Sequence, residues 1–331
     1  MGRLFVPVLR HLPVKHATNF VEGIGRFEYR CLPKLRQETV QAVAQANARL
    51  GENWDVPKLA RTISGRLTRW RLRDVLLDAI SADEALATFD VVGREHMEAA
   101  RAEGRGVVLL SNHFGSHVLP GHWMLREGID FRFLTERPRC LGKKLAAYFK
   151  STGPLGQQEL FISRKKHGND GVSSIFRSIR SLKAGHLLLI ACDVRWADNQ
   201  SVAARFLGET WKFTPIWAIL AQRSGAPVLP CYCTMQPDGR HRLEFGPVVH
   251  VSPKDDLTAV VQQALDQVEL RVRPDPANSN EYFFWALDNR PDTLALKVLD
   301  TPTVAAESPA IPSPHFGITA DTPVRTAQAG K

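Results

Sequence analysis

Gly106-Val107-Val108-Leu109-Leu110-Ser111-Asn112-His113-Phe114-Gly115-Ser116-His117 is the stretch on which the fold turns. An unbroken apolar run of strand length, stopped by small polar residues, predicts a buried strand whose C-terminal end delivers His113 to the start of a helix. In open α/β sheets ligands collect outside the carboxyl ends of the strands, and helix N-termini there offer backbone N–H groups to anions and oxyanions. A capped strand-to-helix turn with an incidental histidine is the competing reading of the same residues.

Outward from this stretch, strand and helix alternate. Arg94 to Ala102 reads as a helix broken by Gly104 and Gly106. Downstream, the expected helices are Val118 to Arg126, Gly142 to Ser151, Val172 to Leu182 and Phe213 to Arg223, with strands at Phe131 to Leu134, Glu159 to Ile162 and His186 to Ala191. Strands at Pro227 to Thr234 and His241 to Val249 flank Gln236-Pro237-Asp238-Gly239, which is hairpin chemistry. Asp255 to Val272 carries one apolar face built from Leu257, Val260, Val261, Ala264, Leu265 and Val268. The expectation is an α/β fold with a mostly parallel central sheet flanked by helices and one antiparallel hairpin. Residues 1–90 form a helical N-terminal section in this reading, 91–299 the α/β domain, and 300–331 a disordered tail of Thr, Pro, Ala and Ser. Within the first section, residues 1–36 read as irregular around Pro7, Pro13 and Pro33, followed by helices at Glu38 to Leu50 and about Pro57 to Leu86.

The 331 residues suffice for a full core, and 43 Lys and Arg against 34 Asp and Glu leave a net charge of +9. That excess suits an anionic partner: nucleic acid, an anionic membrane surface or an acidic carrier protein. Nucleic acid is disfavoured, because few aromatic residues interleave with the basic ones. Cysteines at 31, 140, 192, 231 and 233 are odd in number and irregular in spacing, so they are expected to be reduced, in a cytoplasmic protein. Cys231 and Cys233 alternate with Tyr232 and should share a core face. Neither a signal peptide nor a membrane span is expected. Leu4, Phe5, Val6, Val8, Leu9, Leu12 and Val14, mixed with Arg3, Arg10, His11 and Lys15, either lie in a bilayer interface or dock on the domain.

His113, His117 and His122 have a spacing that zinc sites use, but Phe114 stands where a zincin has Glu and no carboxylate follows nearby. No metal is expected. There is no Gly-rich phosphate loop and no nucleophile elbow. His113 as a general base needs only an orienting acid and a hydroxyl. Asp193, just past the strand ending at Ala191, could reach it from a neighbouring strand end or could merely cap a turn. Arg137 and Arg164 each follow an expected strand, and with Arg195 they are candidates for holding a phosphate.

In order along the chain, these residues resemble the bacterial lipid A biosynthesis acyltransferase family, related to lysophospholipid acyltransferases. The resemblance rests on Gly104 to Gly115, Phe161-Ile162-Ser163-Arg164-Lys165, Leu188 to Asp193, Phe206-Leu207-Gly208, Ser224 to Pro230 and Arg242 to Pro247. It implies a glycerolipid acyltransferase-like fold and transfer of a fatty acyl chain from a carrier thioester, acyl-ACP or acyl-CoA, to a hydroxyl of a glycolipid or phospholipid. No bound cofactor is implied, and the implied location is peripheral, on the cytoplasmic face of the cell membrane. His113 would deprotonate the hydroxyl, backbone N–H groups at Gly115 and Ser116 would steady the oxyanion, and Phe114, Trp123, Phe213 and Trp217 would line an acyl groove. The family pattern places an acid five positions after the histidine, where this chain has Val118. Three expectations follow: Asp193 takes the acid's place, His117 reorganises the site, or the protein binds lipid or acyl carrier without turning it over.

Overall fold

The apolar run folds as expected into β2, Val107–Ser111, with all five residues buried. In the computed structural model, which describes residues 9, 12–78, 80–136, 159–162, 170–279, 281–288 and 295–298, β2 lies in the middle of a seven-stranded sheet. The other strands of that sheet are β1 Phe89–Val92, β3 Phe131–Glu136, β4 Glu159–Ile162, β5 Leu187–Ala191, β8 Val228–Met235 and β9 His241–Phe245, in the order β1-β9-β8-β2-β5-β3-β4. All neighbouring pairs are parallel except β8 with β9, the hairpin read from the sequence.

Period-two alternation sends Val108, Leu110, Leu188 and Ile190 into one core and Val107, Leu109, Leu187 and Leu189 into another on the opposite face. Helices α2 Pro33–Leu50, α3 Val56–Asp78, α8 Ile216–Ser224 and α9 Leu257–Val272 contribute to the first core, while α4 Ala82–Ala87, α5 Arg94–Ala102 and α6 Leu119–Arg126 cover the second. Helix α7, Asp170–Lys183, packs on the first side through Leu182. Cys231 and Cys233 share the second core.

Four expectations need correction. Residues 14–31 are helix α1, Val14–Cys31, rather than irregular chain. Pro33 starts α2, because a proline in the first turn forfeits an N–H that has no intrahelical acceptor anyway. The long helix ends at Asp78, and Ser81 with Glu84 forms a capping box that opens α4. Phe213 does not begin a helix: it ends β7, Glu209–Phe213, which pairs antiparallel with β6, Val202–Phe206, as a separate hairpin turning at Leu207 and Gly208, both with positive φ. The expected helix at Gly142 to Ser151 and the expected tail at 300–331 lie outside the described residues.

The N-terminal helices are bound to the sheet through a buried ionic knot. Helices α1 and α3 cross so closely that a Cβ on Gly25 would sit 2.3 Å from the Ser64 carbonyl oxygen. Beside that crossing, Arg69 is 1% exposed and donates to the carbonyls of Gln236, Gly239 and Arg240 in the β8–β9 turn, at 2.8, 2.7 and 2.9 Å. Arg66 donates to the Met235 carbonyl, and Glu22 of α1 lies 3.4 Å from Arg69 and 3.7 Å from Arg66. Burial pulls the Arg69 guanidinium down to about 10 while Glu22 acts in the opposite sense, so it stays charged at neutral pH. Arg69→Met strands the buried Gly239 carbonyl, while the Gln236 and Arg240 carbonyls keep a backbone N–H each and Glu22 keeps Arg26 and Arg66, so urea unfolding should show a loss of about 1–3 kcal/mol. A loss under about 1 kcal/mol would mean that water satisfies that carbonyl in its place.

Candidate active site

Beyond β2 the chain does not enter a helix at His113. It makes a tight turn and reaches α6 only at Leu119. Asn112 builds the turn: its side chain accepts the Phe114 N–H at 3.1 Å and donates to the Cys231 carbonyl at 3.2 Å. Gly115 has φ +70, and a Cβ there would lie 2.1 Å from the Cys233 carbonyl oxygen, so the position admits only glycine. The Gly115 N–H donates to the Asn278 carbonyl and the Ser116 N–H to the Cys233 carbonyl, both at 2.7 Å. These are the two amides expected to face an oxyanion. Here they are spent on holding the turn against β8 and the C-terminal segment.

The sheet register explains what meets His113. In the parallel pair of β2 and β5, Ser111 stands opposite Ala191, so His113 and Asp193 leave the same edge at the same distance past that pair. Asp193 Oδ1 lies 2.8 Å from His113 Nδ1, and Asp193 Oδ2 accepts the His113 backbone N–H at 2.7 Å. Oδ2 also accepts the hydroxyl of Tyr282, from the 3₁₀ turn Tyr282–Leu287. Asp193 is 1% exposed. Burial opposes its charge, but His113 and the hydrogen bonds from His113 and Tyr282 outweigh that and hold the carboxyl below its ordinary value. An ionised Asp193 assigns the proton between the two groups to Nδ1, leaving Nε2 as the basic nitrogen. The His113 side chain is 26% exposed, open enough to meet a substrate.

Val118 is buried and carries no charge to offer. His117 packs against His113 with ring centroids 4.4 Å apart and the rings tilted by 52°, and its Nδ1 is buried without a hydrogen-bond partner among the described residues. Burial, followed by the proximity of His113 and Arg73, puts its pKa well below the ordinary histidine value. His117 is therefore neutral, and a neutral imidazole cannot replace an orienting carboxylate.

The four aromatic residues expected to line an acyl groove are core. Phe114, Phe213 and Trp217 sit in the first core and Trp123 in the second, none more than 1% exposed. A small, partly open pocket lies elsewhere, lined in part by Leu9, Leu12, Leu76, Ile80 and Arg73. Arg73 stacks on Trp70, whose ring in turn faces His117. Arg195 lies with its guanidinium 3.9 Å from the Trp285 ring and 5.0 Å from that of Trp211. Arg137 and Arg164 lie outside the described residues. Among the described residues no group of three His, Cys, Asp or Glu side chains could hold a metal. Sequence reading missed Asn278 and Tyr282, which reach the site from far along the chain and carry no motif of their own.

A partly exposed histidine gripped by a buried carboxylate at the C-terminal edge of a largely parallel sheet is suited to moving a proton to or from a hydroxyl. The chain belongs to the bacterial lipid A biosynthesis acyltransferase family, whose model matches residues 1–287. It is 25% identical over 248 residues to the phosphatidylinositol mannoside acyltransferase of Mycolicibacterium smegmatis, covering 74% of this chain and 76% of that protein. It is 24% identical over 206 residues to a lipid A biosynthesis acyltransferase of Haemophilus influenzae, covering 60% of this chain and 58% of that protein. Family and relatives together support a lipid acyltransferase, which implies a lipid acceptor and an acyl donor.

The neutral His117 makes stability pH-dependent. Its folded pKa lies below the unfolded value of about 6.5, so under that pH the unfolded chain binds a proton that the folded chain refuses. Stability should fall with pH below about 6.5, by up to about 1.4 kcal/mol per pH unit from this residue. Urea unfolding at several pH values should give a shallower acid slope for His117→Gln; an unchanged slope would place the proton uptake elsewhere.

Proposed function

We propose that the protein transfers a fatty acyl chain from acyl-ACP or acyl-CoA to a hydroxyl of a glycolipid or phospholipid, with His113 as general base and Asp193 as its orienting acid. The observation that carries this reading is the His113–Asp193 contact, which supplies at position 193 the carboxylate that position 118 lacks. His113 Nε2 takes the proton of the acceptor hydroxyl as its oxygen attacks the thioester carbonyl. The tetrahedral intermediate collapses, the C–S bond breaks, and the imidazolium returns the proton to the departing thiolate. Asp193, fixed on Nδ1–H, keeps the ring in the productive tautomer and stabilises the imidazolium while it exists. Arg137, Arg164 and Arg195 are the proposed phosphate-binding groups of donor or acceptor.

The reaction joins two amphiphiles, and the proposed location is peripheral, on the cytoplasmic face of the cell membrane. No helix among the described residues is long and apolar enough to cross a bilayer. Helix α1 and its C-cap expose Phe20, Phe27 and Leu32 at 43%, 65% and 51%, close to the exposed bases Lys15, Arg30 and Lys34. That combination supports docking on an anionic lipid surface. A second reading, favoured by Val118 alone, is a family member that binds lipid or acyl carrier without turnover.

Purified protein, given radiolabelled acyl-CoA or acyl-ACP and acceptor lipids in anionic vesicles, should form acylated lipid and cosediment with those vesicles. His113→Ala should lower kcat by about 10²–10⁴. Undiminished transfer by His113→Ala would reject the base assignment. Absence of transfer by the unaltered chain with both donors would favour the binding reading, and failure to cosediment would remove the peripheral location.

A further inference from the structure

We infer that Tyr282 is a positioning residue for the His113–Asp193 pair: its hydroxyl fixes Asp193 Oδ2, so that Oδ1 faces His113 Nδ1 in a site whose motif position holds Val118. This rests on the proposed role of His113 as base.

A buried carboxylate needs hydrogen bonds for both oxygens, or it costs free energy and drifts toward whichever donor is nearest. Asp193 is 1% exposed, and two of its three hydrogen bonds come from His113, one from the ring and one from the backbone. Those two alone would let carboxylate and histidine shift together. The Tyr282 hydroxyl adds a tie from the acid to a third element, the 3₁₀ turn Tyr282–Leu287.

Tyr282 is built to hold still. It is 2% exposed, and its ring meets Phe206 and Trp285 edge-on, each with centroids 5.0 Å away. Burial first, then the neighbouring Asp193, pushes its phenol well above the ordinary tyrosine value, so it remains a donor at any working pH. The same segment grips the other half of the pair. The Asn278 carbonyl accepts the Gly115 N–H at 2.7 Å, and its side chain accepts the Met235 N–H of β8 at 2.9 Å. A short C-terminal stretch thus sets the histidine turn and the acid relative to each other, where a misplacement of about 1 Å can cost about 10² in rate.

The charged and titratable groups around the pair are His117 against the His113 ring, Arg73 beyond it, Cys192 beside Asp193, and Glu281 beside Tyr282. None of them is altered by removing the tyrosine oxygen. Without that hydroxyl the carboxylate's charge is shared with one donor fewer, and the Asp193–His113⁺ attraction strengthens while its geometry loosens.

The test is the titration of His113 in the full chain, followed by NMR of labelled histidine, alongside acyl-transfer kinetics. In Tyr282→Phe, which keeps the ring packing, the His113 pKa should rise by roughly half a unit to one unit. The acidic limb of the kcat/KM profile should move up with it, and kcat should fall about tenfold with acceptor KM little changed. In case that variant folds poorly, 3-fluorotyrosine placed at position 282, a more acidic phenol and stronger donor, should move the His113 pKa down. A His113 titration unmoved by either change would overturn the inference, whatever happens to thermal stability. Because the titration needs no turnover, an inactive protein would refute the proposed function while still deciding the role of Tyr282.

Discussion

The contact between His113 Nδ1 and Asp193 Oδ1 exists because β2 and β5 run parallel and in register, with Ser111 opposite Ala191. A one-residue slip would turn every side chain of one strand to the opposite face and separate the pair. The register is fixed by two cores: Leu109 and Leu189 must enter one while Leu110 and Ile190 enter the other. The same hydrophobic alternation that makes the sheet therefore places an acid beside a histidine, and sequence-distant groups finish the arrangement. Asn112 and Gly115 bend the turn, Cys233 and Asn278 clamp it, and Tyr282 holds the acid.

Much of the sheet was legible because buried strands write themselves as unbroken apolar runs. Val107 to Leu110 and His186 to Ala191 could be placed, and the Gln236 to Gly239 turn announced its hairpin. Strand β1 and the β6–β7 hairpin escaped notice, being short and having several partly or fully exposed residues. Helix α1 was hidden by Pro13 and Pro33, read as breaks although Pro33 occupies a first helical turn, where proline is welcome.

The site divided along similar lines. His113 and Asp193 were legible from their positions at strand ends, since topology places such residues on one edge. The aromatics Phe114, Trp123, Phe213 and Trp217 misled, because a large apolar residue reads alike whether it fills a core or lines a groove, and here all four fill cores. The amides of Gly115 and Ser116 could not be judged without knowing that Asn278 and Cys233 would accept from them. Asn278 and Tyr282 left no local trace at all. Their parts are set by contacts with Gly115 and Asp193, more than eighty residues away in sequence, the kind of pairing that propensity and spacing do not encode.

The knot of Arg66, Arg69 and Glu22 extends the same logic to the N-terminal helices, which grip the β8–β9 turn and, through Trp70 of α3, also touch His117 beside the site. The central claim is that Asp193 supplies the carboxylate this chain lacks at position 118. Its most direct measurement is kcat for lipid acylation by Asp193→Asn, with folding checked by the unchanged unfolding midpoint of the preparation used. The account predicts a fall of about 10³–10⁴, the scale on which an orienting carboxylate matters in a histidine-based site. A fall of less than about tenfold would contradict it.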